Sequence, residues 1–178
     1  DNMNLYIKMV YDTPAEMNGP NLVAATLLFS LRLYLDFSGC CDIAIGAARI
    51  LGYDLLENFH SPFEATSFAG LWQRWHMSLT GWLRAYIYIP LGGNRVSVIK
   101  HIRNILVVWA LTGLWHGASW NFVLWGLYYG LFLLLEKFVL NNLLDRLPSW
   151  LRTTYTMIAV MIGWVFFSQT NFSALGHY

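Results

Sequence analysis

The chain has 178 residues, of which 57% are hydrophobic and only 12% charged, with a formal net charge of +1 at pH 7 and a mean hydropathy of +0.44. Charged residues reach about a quarter of an ordinary soluble domain, so the composition describes an integral membrane protein. A net charge this close to zero leaves no global field to recruit nucleic acid. The two cysteines, Cys40 and Cys41, are adjacent, which strains a mutual disulfide and matches no metal-ligand spacing; they read as small packing residues, and no metal site is expected.

Residues 1 to 20 carry Lys8, Asp12, Pro14, Glu16, Gly19 and Pro20 and read as a loop or interfacial entry. Leu22 to Phe37 is an apolar helix in which Arg32 and Asp36, spaced i,i+4, share one face and can pair. Gly39 to Leu51 is too short to span a hydrocarbon core that needs about 20 helical residues, so it reads as a separate re-entrant or interfacial helix. Gly52 to Phe68 mixes Asp54, Glu57, His60, Pro62 and Glu64 with aromatics, the pattern of a loop at the membrane surface.

From Phe68 to Tyr88 the residues Trp72, Trp75, Trp82, Tyr86 and Tyr88 alternate with Gln73, Arg74, His76 and Arg84, the mixture of an interfacial aromatic belt. On a helical wheel Trp72, His76, Leu79 and Leu83 share a face, so His76 is expected to look towards the apolar side. Ile89 to Arg95 is a turn, because Pro90 cannot continue a helix and Gly92-Gly93 admits backbone angles closed to other residues.

Residues 104 to 135 carry no formal charge. As one helix they would be roughly 48 Å long against a core of about 30 Å, so the run is expected to break. Gly113, Gly117 and Asn121 mark the break, and Thr112, His116, Ser119 and Asn121 surround it with polar groups. Backbone outside a helix at membrane depth is tolerated only within protein or beside a watery cavity. A second segment, Phe122 to Leu135, ends at Glu136-Lys137, and Thr154 to Ser168 forms a further membrane helix. Basic residues gather at 95 to 103 and 146 to 152, so two cytoplasmic loops there would enclose an even number of crossings. The sequon at Asn171 matters only in a secretory lumen.

His116 is the one ionisable group inside the uncharged run, and such a group at bilayer depth is a functional candidate by default. It reads either as a general base kept neutral by desolvation or as a packed histidine bonded to a neighbouring carbonyl. His76 reads either as a second site histidine or as an interfacial one with its polar edge at the headgroups. His60 suits a solvated loop, His101 a basic cluster, and His177 carries no signal. Trp115 and Trp120 flank His116 and can line an acyl pocket or simply pack. Arg74 and Arg84 can hold phosphate or carboxylate groups or meet lipid headgroups. Together with Asn121 these four are the substrate-binding candidates. The sequence contains no P-loop, zinc-protease helix or nucleophile elbow.

Five stretches carry a family resemblance. Leu71-Trp72-Gln73-Arg74-Trp75-His76-Met77-Ser78-Leu79, Trp82-Leu83-Arg84-Ala85-Tyr86 and Tyr88-Ile89-Pro90-Leu91-Gly92-Gly93-Asn94-Arg95 closely resemble the membrane-bound O-acyltransferase family. Leu111 to Asn121, with Leu114-Trp115-His116-Gly117 at its centre, is similar to the family's second histidine motif, and Asp36-Phe37-Ser38-Gly39 resembles an upstream one. The Ile-Pro-Leu-Gly-Gly-Asn-Arg turn is most similar to the bacterial branch of alginate and peptidoglycan O-acetylation, less to teichoic acid D-alanylation. The resemblance implies an all-α polytopic membrane bundle with re-entrant or broken helices, in the bacterial inner membrane. Residues 1–178 would form the central and later part of one such domain, lacking the amino-terminal helices.

It also implies acyl transfer, acetyl in the first instance. The donor would be a thioester, acetyl-CoA or a carrier protein, with no bound cofactor. The acceptor would be a hydroxyl of an extracytoplasmic polysaccharide or relay protein. His116 takes the catalytic position and His76 the other characteristic one. Membrane lipid and extracytoplasmic acetyltransferase or polysaccharide partner proteins are the implied partners. The family's usual Arg-Asp-Tyr is replaced here by Arg84-Ala85-Tyr86, which removes a carboxylate. The alternatives are a transporter-like module with broken helices lining a path and a catalytically silent scaffold subunit.

Overall fold

The computed structural model describes residues 2–168, so the sequon at Asn171 and His177 lie outside the described residues. Its elements are helical. Helix α1 (Asn2–Asp12) and a 3-10 turn (Pro14–Glu16) precede α2 (Gly19–Ile50), and a second 3-10 turn (Pro62–Glu64) leads to the short α3 (Phe68–Trp72) and α4 (Met77–Leu83). A π turn (Arg84–Tyr88) is followed by α5 (Val98–His116) and α6 (Trp120–Leu135). A second π turn (Glu136–Leu140), α7 (Asn141–Leu144) and α8 (Ser149–Ser168) complete the described chain. Among the described residues there is no strand, only an isolated antiparallel bridge between Phe59 and Trp75. Three helical stretches, Gly19–Ile50, Trp120–Leu144 and Ser149–Ser168, are long and apolar enough to cross a membrane.

The first twenty residues hold a helix where a loop was expected. Met3, Ile7, Val10 and Tyr11 recur at helical spacing, and α1 lays Ile7, Val10 and Tyr11 against Ala25 of α2, burial that outweighs the polar residues between them. Residues 39 to 51 likewise do not form a separate helix: α2 runs unbroken for 32 residues. Its start is set by Asn18, whose side chain accepts the Asn21 N–H at 3.0 Å. Nothing between Ser38 and Ile50 stops it, because glycine in a helix interior costs only about 1 kcal/mol and no proline intervenes. Arg32 and Asp36 do pair along it, at 3.2 Å.

Helices α5 and α6 form a tight hairpin against which α8 packs, and α8 also meets α2. The hairpin closes because glycines stand where the two helices come nearest. A Cβ on Gly113 would collide with the Phe122 carbonyl, and one on Gly126 with the Trp109 carbonyl, so backbone meets backbone as in small-residue membrane interfaces. Tyrosines join α6 to α8: Tyr128 donates to the Ala159 carbonyl at 2.7 Å and the fully buried Tyr129 to that of Val160 at 3.0 Å. Around them Phe68, Trp72, Trp75, Trp109, Trp125 and Trp164 make an aromatic core.

The helical stretch that begins with α6 does not end at Glu136-Lys137, as the charges there suggested, but runs on to Leu144. The Glu136 carboxylate is buried and accepts the Phe68 N–H at 2.8 Å. It caps α3 from across the bundle, and with that partner the helix continues through the π turn to Leu144. The Gly92-Gly93 turn is tied down too. Both glycines have positive φ, and the buried Asn104 side chain of α5 donates to the Leu91 and Gly93 carbonyls at 3.0 and 3.1 Å.

Because Gly126 faces a carbonyl and not a yielding side chain, Gly126→Val forces the hairpin apart. It is expected to cost about 1–3 kcal/mol, the usual scale of overpacking, and to lower the midpoint of thermal unfolding in detergent by several degrees. An unchanged midpoint would contradict the close backbone contact.

Candidate functional site

The stretch from Phe68 to Tyr88 is not one helix, and the place where it breaks holds His76. Residues 73 to 76 leave the helix, and His76 adopts the left-handed conformation (φ 46, ψ 53) at the start of α4, which for a residue with a side chain costs on the order of 1–3 kcal/mol. The freed backbone is satisfied by the preceding loop. His60 N–H donates to the Arg74 carbonyl at 2.9 Å and Met77 N–H to the Asn58 carbonyl at 3.1 Å, with Phe59 bridging Trp75. The shared wheel face of Trp72, His76, Leu79 and Leu83 therefore has no helical basis, yet all four line one cavity.

His116 stands at the second break, the last residue of α5, before Gly117, Ala118 and Ser119 lead into α6. Its ring meets Trp125 edge to face at 4.9 Å and Phe167 at 5.4 Å. Trp115 links the two histidines: its ring is 5.0 Å from that of His116 and 5.6 Å from that of His76, edge to face in both cases. The other side of the His76 ring meets Phe37 of α2 at 4.7 Å. Burial pushes the His76 imidazole below its ordinary pKa, so it is neutral at pH 7.

Both histidines open on the same cavity, of about 640 Å³, a size that suits an extended small-molecule substrate. Near them its wall is aromatic, from Trp72, Trp75, Trp125, Trp164 and Phe167. Elsewhere it is polar, with Arg84, Tyr88, His101, Glu136, Lys137, Asp145 and Arg152. His101 is buried there, its Nε2 3.0 Å from the Tyr88 hydroxyl and 3.4 Å from Lys137 Nζ. Among the described residues no group of three His, Cys, Asp or Glu side chains could hold a metal ion.

Of the residues singled out in the sequence, His76, His116 and Arg84 line this cavity and Trp115 touches both imidazoles. Arg74 does not line it; its guanidinium lies 3.9 Å from Glu64 and 3.5 Å from the Ser61 carbonyl. Trp120 is exposed, and Asn121, though buried, is not on the cavity wall: its side chain donates to the Phe167 carbonyl at 3.3 Å. Ala85, where the resemblance expects a carboxylate, is exposed and off the wall. Sequence reasoning missed Asn58, Phe37 and Glu136. Asn58 and Phe37 reach the site only across the fold, while Glu136 could have been found as a carboxylate beside an apolar run.

Comparison with known proteins gives a family. The family model of the membrane-bound O-acyltransferases, MBOAT, matches residues 7–175. AlgI of Azotobacter vinelandii, whose name assigns it to alginate O-acetylation, is 41% identical over 145 residues, 82% of this chain and 29% of the relative. A protein of Helicobacter pylori named peptidoglycan O-acetyltransferase is 35% identical over 174 residues, 96% of this chain and 33% of the relative. The Bacillus subtilis protein named teichoic acid D-alanyltransferase is 31% identical over 154 residues, 82% and 39%. The chain thus spans about a third of the length of these curated relatives.

Trp115, itself exposed, is in ring contact with both imidazoles, so Trp115→Ala is expected to lower turnover by up to about a hundredfold, the scale of a small misplacement, while Trp115→Phe keeps most of it. Turnover per folded molecule, measured in membranes holding the full-length protein, checks this. Equal rates for the alanine variant and the wild type would refute it.

Proposed function

Because the chain belongs to the membrane-bound O-acyltransferase family, we propose that it carries the reaction centre of an integral membrane enzyme that moves an acyl group, in the first instance acetyl, from a thioester donor to a hydroxyl on an extracytoplasmic polysaccharide or relay protein. The observation that carries this reading is the pair of histidines on one cavity wall, both in ring contact with Trp115 and surrounded by aromatic rings. The names of the relatives, alginate, peptidoglycan and teichoic acid transferases, support an envelope polymer as the acceptor. The donor is acetyl-CoA or an acyl carrier.

His116, in its neutral form, takes the proton of the acceptor hydroxyl as that oxygen attacks the thioester carbonyl carbon. The tetrahedral adduct then collapses, the carbon–sulfur bond breaks, and the leaving thiolate recovers the proton from the imidazolium. His76 stands on the same wall with a neutral ring. Its free nitrogen accepts a hydrogen bond from a second hydroxyl of the acceptor, beside the attacking one, and so orients the acceptor. The indole and phenyl rings around the two keep bulk water from the thioester, which would otherwise be hydrolysed. Arg84 and Lys137, at the polar part of the cavity, are suited to anionic groups of the donor.

Acetyl transfer by the full-length protein tests the reading. His116→Ala and His76→Ala are each expected to lower the rate by about 10²-fold or more, the usual scale of acid–base catalysis. Wild-type rates in both variants would remove the enzymatic assignment.

The pH dependence has a definite sign. Protonation of His76 removes its free lone pair, and burial makes protonation harder. The acid limb of the rate profile should therefore lie below the ordinary histidine value of about 6.5. A limb above that value would contradict a neutral, desolvated imidazole.

A further inference from the structure

We infer that Asn58, in the loop between α2 and α3, is the positioning residue for His76, and that it selects the tautomer with Nδ1 protonated and Nε2 bare. This rests on the acyl-transfer reading above.

The argument begins with one oxygen. Asn58 Oδ1 lies 3.3 Å from His76 Nδ1, 3.1 Å from the Ser78 N–H and 2.7 Å from Ser78 Oγ. A backbone N–H can only donate, so the atom facing Ser78 is the carbonyl oxygen of the amide and not its NH₂. An oxygen without hydrogen can only accept, so the Nδ1 it meets must carry the proton. A neutral imidazole has one N–H, and the other nitrogen is then left with its lone pair. That nitrogen, Nε2, is buried and has no hydrogen-bond partner among the described residues, in a residue that lines the cavity. Its lone pair is the one on this ring that no group among the described residues uses.

The same loop also holds the strained backbone. The Asn58 carbonyl accepts the Met77 N–H at 3.1 Å and His60 N–H pairs with Arg74. The two non-glycine residues with positive φ among the described residues, Ser61 and His76, sit one on each of these paired segments. Asn58 therefore grips His76 from two sides, by its main chain through Met77 and by its side chain through the ring. The titratable groups around the pair are His116 from α5, Cys41 from α2, which lies against the Asn58 side chain, and Glu57, ion-paired with Arg49 at 3.7 Å. Among the described residues none of them is hydrogen-bonded to the His76 ring.

The test uses the full-length protein in membranes, with radiolabelled acetyl-CoA as the donor probe and de-O-acetylated alginate as the acceptor probe. Folded protein is quantified by fluorescence-detected size exclusion. Asn58→Ala is expected to lower kcat by about tenfold to a hundredfold, the scale for losing the partner that orients a histidine, with the KM for acetyl-CoA little changed. Asn58→Asp keeps the accepting oxygen and adds a negative charge that favours the imidazolium, so it should recover most of kcat at high pH. Its acid limb should move up by about one pH unit or more. A role confined to folding would reduce the yield of both variants and leave rate per folded molecule and acid limb untouched; that result overturns the inference. If Asn58→Ala does not fold, an unshifted acid limb in Asn58→Asp overturns it alone. His76→Ala run alongside separates the two claims: an inactive His76→Ala beside a wild-type Asn58→Ala refutes the role of Asn58 only, whereas an active His76→Ala refutes the reading on which it rests.

Discussion

A main chain that leaves the helix beside or within a bilayer must find its hydrogen bonds inside the protein, since lipid supplies none. Both site histidines sit where the chain does this, and the remainder of the structure follows from how the two breaks are supported. At His76 the support is a second stretch of irregular chain, the loop of Asn58 to His60, paired to residues 74 to 77 almost as a short ribbon. At His116 it is the glycine contact of α5 with α6, which brings the helices so near that the connection needs only Gly117, Ala118 and Ser119. Neither break is a weak point: each is surrounded by rings that pack edge to face, the arrangement aromatic pairs prefer.

The same device explains where the cavity is polar and where it is not. Side chains that hold up backbone have polar atoms committed to it: Asn104 to the Gly92-Gly93 turn, and one carboxylate oxygen of Glu136 to the start of α3. They can stand in or beside an apolar bundle at modest cost, because a buried polar group is expensive chiefly when unpaired. The His76 Nε2 is buried without a partner among the described residues, as are the Trp72, Trp125 and Trp164 indole N–H groups and one Glu136 oxygen, all in residues of the cavity wall. Of these it is an imidazole nitrogen that can exchange a proton near neutral pH.

Much of this was legible in the sequence, and the parts that were not share a cause. Arg32 with Asp36, the break within the uncharged run, the Gly92-Gly93 turn and the membrane helix over Thr154 to Ser168 are local, set by spacing within a few residues. The continuation of α2 past Gly39 was missed because length was weighed against bilayer thickness, while a helix stops for want of hydrogen bonds or at a breaker. The extension of α6 past Glu136 and the interruption of the helix at Gln73 to His76 were missed for a different reason. Each depends on a partner far along the chain, Phe68 for Glu136 and Asn58 for Met77 and His76. Arg74 shows the converse: its place in a histidine motif marked it for the site, yet its side chain reaches Glu64 and Ser61 instead of the cavity.

The left-handed turn at His76 shows how the two levels meet. Glycine would adopt that backbone without strain, so an imidazole there is retained at a cost in stability. What offsets the cost is the pairing of loop and break, and what the arrangement obtains is direction. In a continuous helix His76 would project from the face set by its neighbours, together with Trp72 one turn earlier. Turned out of the helix, its ring is fixed instead by Phe37 on one side, Trp115 on another and Asn58 at Nδ1. Three contacts from three separate segments define an orientation more closely than one helix can, and a neutral imidazole orients a hydroxyl only in the direction its lone pair is held.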